Sequence, residues 1–348
     1  MPVAGELLIV GFEGQTAPAE LLERIAGGRV GGVVLFKRNL GTLAEVASLT
    51  ASLQRAVPRG APPLLVSLDQ EGGRVQRIKA PLPHWPPMRR LGELDDEARS
   101  EAVGRAMGVE LLALGFNVDY APVLDVHTNP ANPIIGDRAF GTLPADAARH
   151  ALAFWRGLES AGVRGCGKHF PGHGDTSTDS HLELPRVDAP LERLREVELL
   201  PFRNAVAAGV PIMMTAHVIY PAVDPLPATM SRRWLHDILR GELGFGGIIM
   251  SDDLDMKAVA DHFPIEDVVV RSLLAGADCF LACQNPEIQR AAEAALDAAA
   301  ATTPAVAARL AESAARLHAF RATLTEPAPE AWRGLPIPAH AALHATLT

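Results

Sequence analysis

Short apolar runs recur along the chain, each closed by a glycine or polar turn and followed by a longer stretch whose apolar residues return every three to four positions. These runs fall at residues 7–10, 32–36, 64–68, 118–124, 163–167, 212–216, 247–250 and 277–282. Runs with so few charges, bounded by glycine and followed by helices, suit a parallel sheet covered on its outer face. The intervening stretches carry helix signals. Thr42 with Glu45 three residues on predicts a capping box, Asp188 ahead of Pro190 predicts another helix start, and Gly115 and Gly209 predict helix ends. Eight such units predict an α/β fold of one closed (β/α)8 barrel. The alternative, a doubly wound open sheet, is disfavoured because no G-x-G-x-x-G turn follows the first run.

After the eighth run, residues 286–300 and 304–320 read as alanine-rich helices, and from Glu326 the chain is rich in proline and alanine without periodicity. The expected organisation is a catalytic barrel with extra helices over residues 1–324 and a short tail over 325–348. With 348 residues, 48% of them hydrophobic, the chain can bury a large core. The net charge of −9 argues against nucleic-acid or anionic-membrane partners, which reward basic surfaces, and favours a small neutral substrate. The apolar run at 7–10 lacks the length and basic flank of a signal peptide, and nothing later approaches a membrane span, so the expected location is the cytoplasm. Cys166, Cys279 and Cys283 are too few and scattered for a disulfide framework or a zinc ribbon, and read as buried free thiols.

In a barrel of this kind, polar residues at the ends of strands line the catalytic face. Asp69 follows the third run, Asp125 the fourth, Lys168 and His169 the fifth, His217 the sixth, and Asp252 with Asp253 the seventh. Any one of them could be a helix cap or a satisfied core residue. Five runs ending in charge point to a pocket, because desolvated charges cost stability unless paired or used. The densest feature is the segment KHFPGHGDTSTDSH, residues 168–181, where Pro171, Gly172 and Gly174 forbid a regular helix. Two chemistries stay open for it. His169, His173, Asp175, Asp179 and His181 could ligate a metal, although the Pro-Gly break removes the helical spacing that would align His169 with His173. Alternatively, Asp179 two residues before His181 could orient that imidazole and support its protonated form, making a general acid/base dyad.

At these residues the chain resembles glycoside hydrolase family 3, and within it the single-domain beta-N-acetylglucosaminidases. The resemblance is carried by the K-H-F-P-G-H-G loop with its following D-S-H, by the S-D-D-L segment at 251–254, by DQEGGRVQR at 69–77 and by the NP…GDRAFG loop at 129–141. It runs from about residue 7 to 320 and implies Asp252 as nucleophile, His181 as acid/base and Asp179 as its partner. It further implies that Asp69, Arg77, Arg138, Lys168 and His169 bind the terminal sugar, with no metal and no cofactor. Ala139 stands where relatives often have serine. The implied reaction is retaining, exo-acting hydrolysis of terminal beta-linked N-acetylglucosamine, with a muropeptide fragment from peptidoglycan recycling as the natural substrate and a monomer as the working form. Phosphate in place of water as the acceptor, a beta-glucosidase-like specificity, a metal-dependent hydrolase and a catalytically silent sugar-binding barrel are the competing readings.

Overall fold

The computed structural model describes residues 4–176 and 184–347. Eight parallel strands, β1 (Leu8–Val10), β2 (Gly32–Val34), β3 (Leu65–Leu68), β4 (Val118–Asp119), β5 (Arg164–Phe170), β6 (Ile212–Thr215), β7 (Ile248–Asp253) and β8 (Cys279–Ala282), follow one another around a closed barrel. β1 closes the ring by pairing with β2 on one side and β8 on the other. Their apolar residues are almost all fully buried, as a sheet covered by helices outside and filled by side chains inside requires. The barrel expectation holds, with each strand at its expected run.

Strand lengths differ from the sequence pattern in ways that matter for the mouth. The fourth apolar run leaves the regular ladder after Asp119, because Pro122 has no N–H to donate. It still runs beside β5, with Leu124 N donating to Lys168 O at 2.6 Å and Lys168 N to Pro122 O at 3.2 Å. β5 and β7 in turn extend further than expected. Lys168, His169, Asp252 and Asp253 are therefore held on strands and do not belong to the loops beyond them.

The helices are α1 (Ala19–Ala26), α2 (Leu43–Arg55), α3 (Met88–Leu94), α4 (Glu97–Ala113), α5 (Pro144–Ser160), α6 (Leu191–Glu196), α7 (Leu199–Ala208), α8 (Lys257–Ala260), α9 (Ile265–Ala275), α10 (Pro286–Thr302), α11 (Pro304–Arg321) and α12 (Pro338–Ala345). Thr42 and Glu45 form the expected reciprocal cap of α2. Asp188 does not cap α6. Its carboxylate turns to Arg186 at 2.6 Å, and Pro190 occupies the cap position without a side-chain bond. α4 and α5 cross unusually closely: a Cβ on Gly104 would stand 2.1 Å from Phe154 O, and one on Gly157 2.2 Å from Glu101 O.

At the root of β8, Asp278 is fully buried and gathers neighbours from β7, from the helical segment Arg233–Glu242 and from α11. It accepts from Ile249 N on β7 at 3.0 Å, from Arg240 at 2.5 Å, and from Arg316 and Ser313 on α11 at 2.5 and 3.2 Å. The segment from residue 325 onward, expected to be an aperiodic tail, contains a short helical turn (Ala331–Gly334) and α12, which lie against α2 and α4. Among the described residues, no helix is long and apolar enough to cross a membrane.

Candidate active site

A cavity of about 440 Å³ opens at the C-terminal ends of the strands. β5 points Lys168 into its wall, with the side chain only 2% exposed and Nζ 2.8 Å from Asp69 Oδ1 and 2.5 Å from Glu71 Oε1. Asp69 also meets Arg77 at 3.0 Å, and Glu71 meets Arg138 through two bonds of 2.8 Å. The result is a chain of alternating charge: Arg77, Asp69, Lys168, Glu71, Arg138. Burial alone would push both carboxyls up in pKa, but their cationic neighbours outweigh it and hold Asp69 and Glu71 well below the usual carboxylate range. Burial likewise opposes the charge on Lys168, and the two carboxylates more than restore it. The array therefore presents fixed charged donors and acceptors to a ligand at little reorganisation cost.

His169, next on the strand, is oriented by Asp125. Its Nδ1 lies 2.7 Å from Asp125 Oδ2, and its Nε2 lies 3.5 Å from Arg138. With Nδ1 donating to the carboxylate, Nε2 is left to accept. Asp125, wholly buried, also receives the backbone N–H of His169 and, at 2.6 Å, that of His173. His173 is a scaffold member: its carbonyl accepts from Asn132 Nδ2 at 2.8 Å, and its Nδ1 is 2.9 Å from Thr176 Oγ1. Burial, then the neighbouring His169, pushes the His173 imidazole down to about 4, so it is neutral near pH 7. Gly174 is required here, because a Cβ would stand 1.7 Å from Val126 O.

Across the cavity, β7 presents Asp252 and Asp253. Asp253 Oδ1 accepts from Asp255 N at 3.1 Å and Cys283 N at 3.0 Å, tying the ends of β7 and β8 together. Burial, then Asp255, raises its carboxyl to about 7. Asp252 Oδ1 accepts its neighbour's N–H at 2.8 Å. His217, beyond β6, braces this corner, with Nδ1 2.9 Å from Thr229 Oγ1 and Nε2 3.1 Å from Asp253 O. Burial lowers its pKa, and the neutral ring can donate from Nε2.

The structure thus brings together Asp69, Arg77, Arg138, Lys168, His169 and Asp252 around one cavity. Asp179 and His181 lie outside the described residues. Among the described residues, no group of three histidine, cysteine or acidic side chains is placed to hold a metal. The three cysteines are buried free thiols whose ionisation burial suppresses. Sequence reasoning passed over Glu71, which pairs with both Lys168 and Arg138, and saw Asp125 only as one more strand-end charge. The available signal for Glu71 was an acidic residue two positions past Asp69, directly before two glycines.

A closed parallel barrel with a mouth lined by charged side chains is a design shared by barrel enzymes. The comparisons specify which one. The model of the glycosyl hydrolase family 3 N terminal domain matches residues 4–318. A protein named beta-hexosaminidase from Alkalilimnicola ehrlichii is 42% identical over 286 residues, covering 80% of this chain and 81% of that one. Another beta-hexosaminidase, from Neisseria meningitidis serogroup C, is 41% identical over 273 residues, covering 76% and 74%. Among solved structures, a family 3 beta-N-acetylglucosaminidase from Paenibacillus sp. superposes with a TM-score of 0.90 at 38% identity, covering 99% of this chain and 67% of that one. NagZ from Neisseria gonorrhoeae, in complex with N-trifluoroacetyl-D-glucosamine, gives a TM-score of 0.82 at 32% identity, covering 100% and 98%. The chain belongs to glycoside hydrolase family 3 and is a glycoside hydrolase.

Proposed function

We propose that the protein is a retaining, exo-acting beta-N-acetylglucosaminidase that removes terminal beta-linked N-acetylglucosamine, with muropeptide fragments as its natural substrates. The observation that carries this reading is the placement of Asp252 on the wall of the same cavity as the array of Asp69, Lys168 and Arg138, together with His169. The names of the relatives and the sugar analogue in the NagZ complex support the choice of sugar. Asp69, Arg77, Arg138, Lys168 and His169 hold the sugar hydroxyls. Asp252 attacks the anomeric carbon as the glycosidic C–O bond breaks, while His181, polarised by Asp179, gives its proton to the leaving oxygen. His181 then takes a proton from water, whose oxygen displaces the Asp252 carboxylate with the starting configuration restored. Asp253 is unsuited to the nucleophilic role, because its Oδ1 is engaged by two backbone N–H groups and its carboxyl holds a proton up to about pH 7.

The test is incubation of the protein with an N-acetylglucosaminyl-anhydromuramyl substrate, with and without phosphate, while the first-formed anomer is followed. Free beta-N-acetylglucosamine as first product supports the reading. A sugar phosphate would reassign the acceptor, and the alpha anomer of the free sugar would overturn retention.

A further inference from the structure

The segment 336–347 is docked on the barrel by specific polar contacts. His340 Nδ1 lies 2.7 Å from Oε1 of Glu110, a carboxylate on α4 that is only 2% exposed. Burial pushes that carboxyl up in pKa, opposed by His340 and by the Trp85 indole. Four residues after His340, the His344 ring meets Trp85 edge-on with centroids 6.0 Å apart, and its Nε2 is 2.8 Å from His84 O. Arg90 Nε, on α3, donates to Leu347 O at 3.0 Å, and Leu347 is 1% exposed.

His84 and Trp85 belong to the same excursion that supplies Glu71 and Arg77 to the cavity. His84 Nε2 is 2.8 Å from Gly73 O, and Gly73 N donates to Trp85 O at 2.9 Å. Trp85 N donates to Gln76 Oε1 at 2.9 Å, and Gln70 Oε1 receives the N–H of Arg77 at 2.8 Å. A series of contacts therefore runs from His344, through Trp85 and His84, to the backbone between Glu71 and Arg77, while His340 on the same helix ties the segment to Glu110 of α4.

The geometry points to a positioning role for residues 336–347: they form a strap that holds the excursion 70–87 in register, so that Arg77 meets the sugar, and Glu71 holds Arg138 and Lys168, in one fixed arrangement. Glu110, His340, Trp85 and His344 are its positioning residues, and none of them touches the cavity. This inference rests on the reading that Arg77 and its neighbours bind sugar. Exposed helix ends of proline and alanine fray unless tied down, and a displacement of about 1 Å in a binding group is enough to cost activity.

The test uses the full chain with His340→Ala, His344→Ala and the conservative Glu110→Gln, read by backbone hydrogen exchange and by N-acetylglucosamine affinity. In the two alanine variants, exchange at residues 70–78 accelerates about tenfold or more and sugar affinity falls roughly fivefold, while Glu110→Gln stays within about twofold of wild type. KM for an aryl N-acetyl-beta-glucosaminide rises in step, with kcat changed less than about twofold. Unchanged exchange at 70–78 in folded variants would overturn the strap, as would faster exchange with unaltered sugar affinity. A wild-type protein that binds no N-acetylglucosamine would instead remove the sugar reading, and the exchange measurement would still decide the strap.

Discussion

Glu71 and Arg138 face each other in a two-pronged pair, Nε to Oε2 and Nη2 to Oε1, each at 2.8 Å, with the glutamate side chain 1% exposed. Lys168 approaches the same carboxylate from the other side at 2.5 Å. Removing the negative charge at this point takes from Arg138 the carboxylate it pairs with and leaves Lys168 to share Asp69 with Arg77. Glu71→Gln is expected to lower stability by about 3 kcal/mol, the scale for breaking a buried pair from one side. Thermal unfolding checks this, and a change below about 0.5 kcal/mol would show that water replaces the carboxylate freely.

Asp125 fixes His169 through Nδ1 and also receives the His173 backbone. Asp125→Asn keeps the shape but lets the amide present a donor to a ring nitrogen that is itself donating. The His169 tautomer should invert, turning Nε2 from acceptor to donor in front of Arg138. KM for an aryl N-acetyl-beta-glucosaminide is expected to rise about tenfold, with the fold intact by circular dichroism. An unchanged KM would remove His169 from the sugar contacts.

On the proposed mechanism, Asp252→Ala should reduce turnover by roughly a thousandfold or more, because no covalent intermediate can form. His181→Ala should be leaving-group dependent, with the smallest loss for aryl glycosides whose phenol leaves without a proton. Kinetics across substituted phenyl glycosides read this as a slope. A flat loss across the series would take the acid role from His181.

The raised pKa of Asp253, about 7 against an ordinary 3.8, makes a pH prediction. The folded protein holds the proton more tightly than the unfolded chain, so stability is fully present below pH 4 and declines as pH rises from 4 through 7. Asp253→Asn, which keeps the acceptor oxygen for Asp255 N and Cys283 N, should remove that decline. At pH 8 it is expected to be more stable than wild type by on the order of 2 kcal/mol, with little difference near pH 4. Denaturant melts at the two pH values decide, and parallel losses at both would show that the carboxyl ionises without cost.

The barrel was legible because covered parallel strands leave apolar runs with few charges, and each of the eight runs proved to be a strand. Their ends were less legible. Pro122 shortens β4, and the extra length of β5 and β7 comes from neighbours that a linear reading does not see. Strand-end position found Asp69, Lys168, His169 and Asp252, while Arg77 and Arg138 came only through resemblance to the family. Glu71 escaped both routes, because its importance lies in two cations contributed from residues 138 and 168. The segment 326–347 looked featureless since its order depends on partners more than two hundred residues away, such as Glu110 and His84.

The floor of the barrel also bears on its mouth. Asp278 grips Ile249 N near the start of β7, and Asp252 stands three residues further along the same strand. An extended chain rises about 3.3 Å per residue, so the anchor sits roughly 10 Å beneath the carboxylate. A strand clamped at its foot cannot slide along its neighbours by a residue, a slip that would turn the side chains of Asp252 and Asp253 to opposite faces of the strand from those they now occupy. On the proposed mechanism, the arginines around Asp278 thereby help keep Asp252, and not Asp253, in the nucleophile's place.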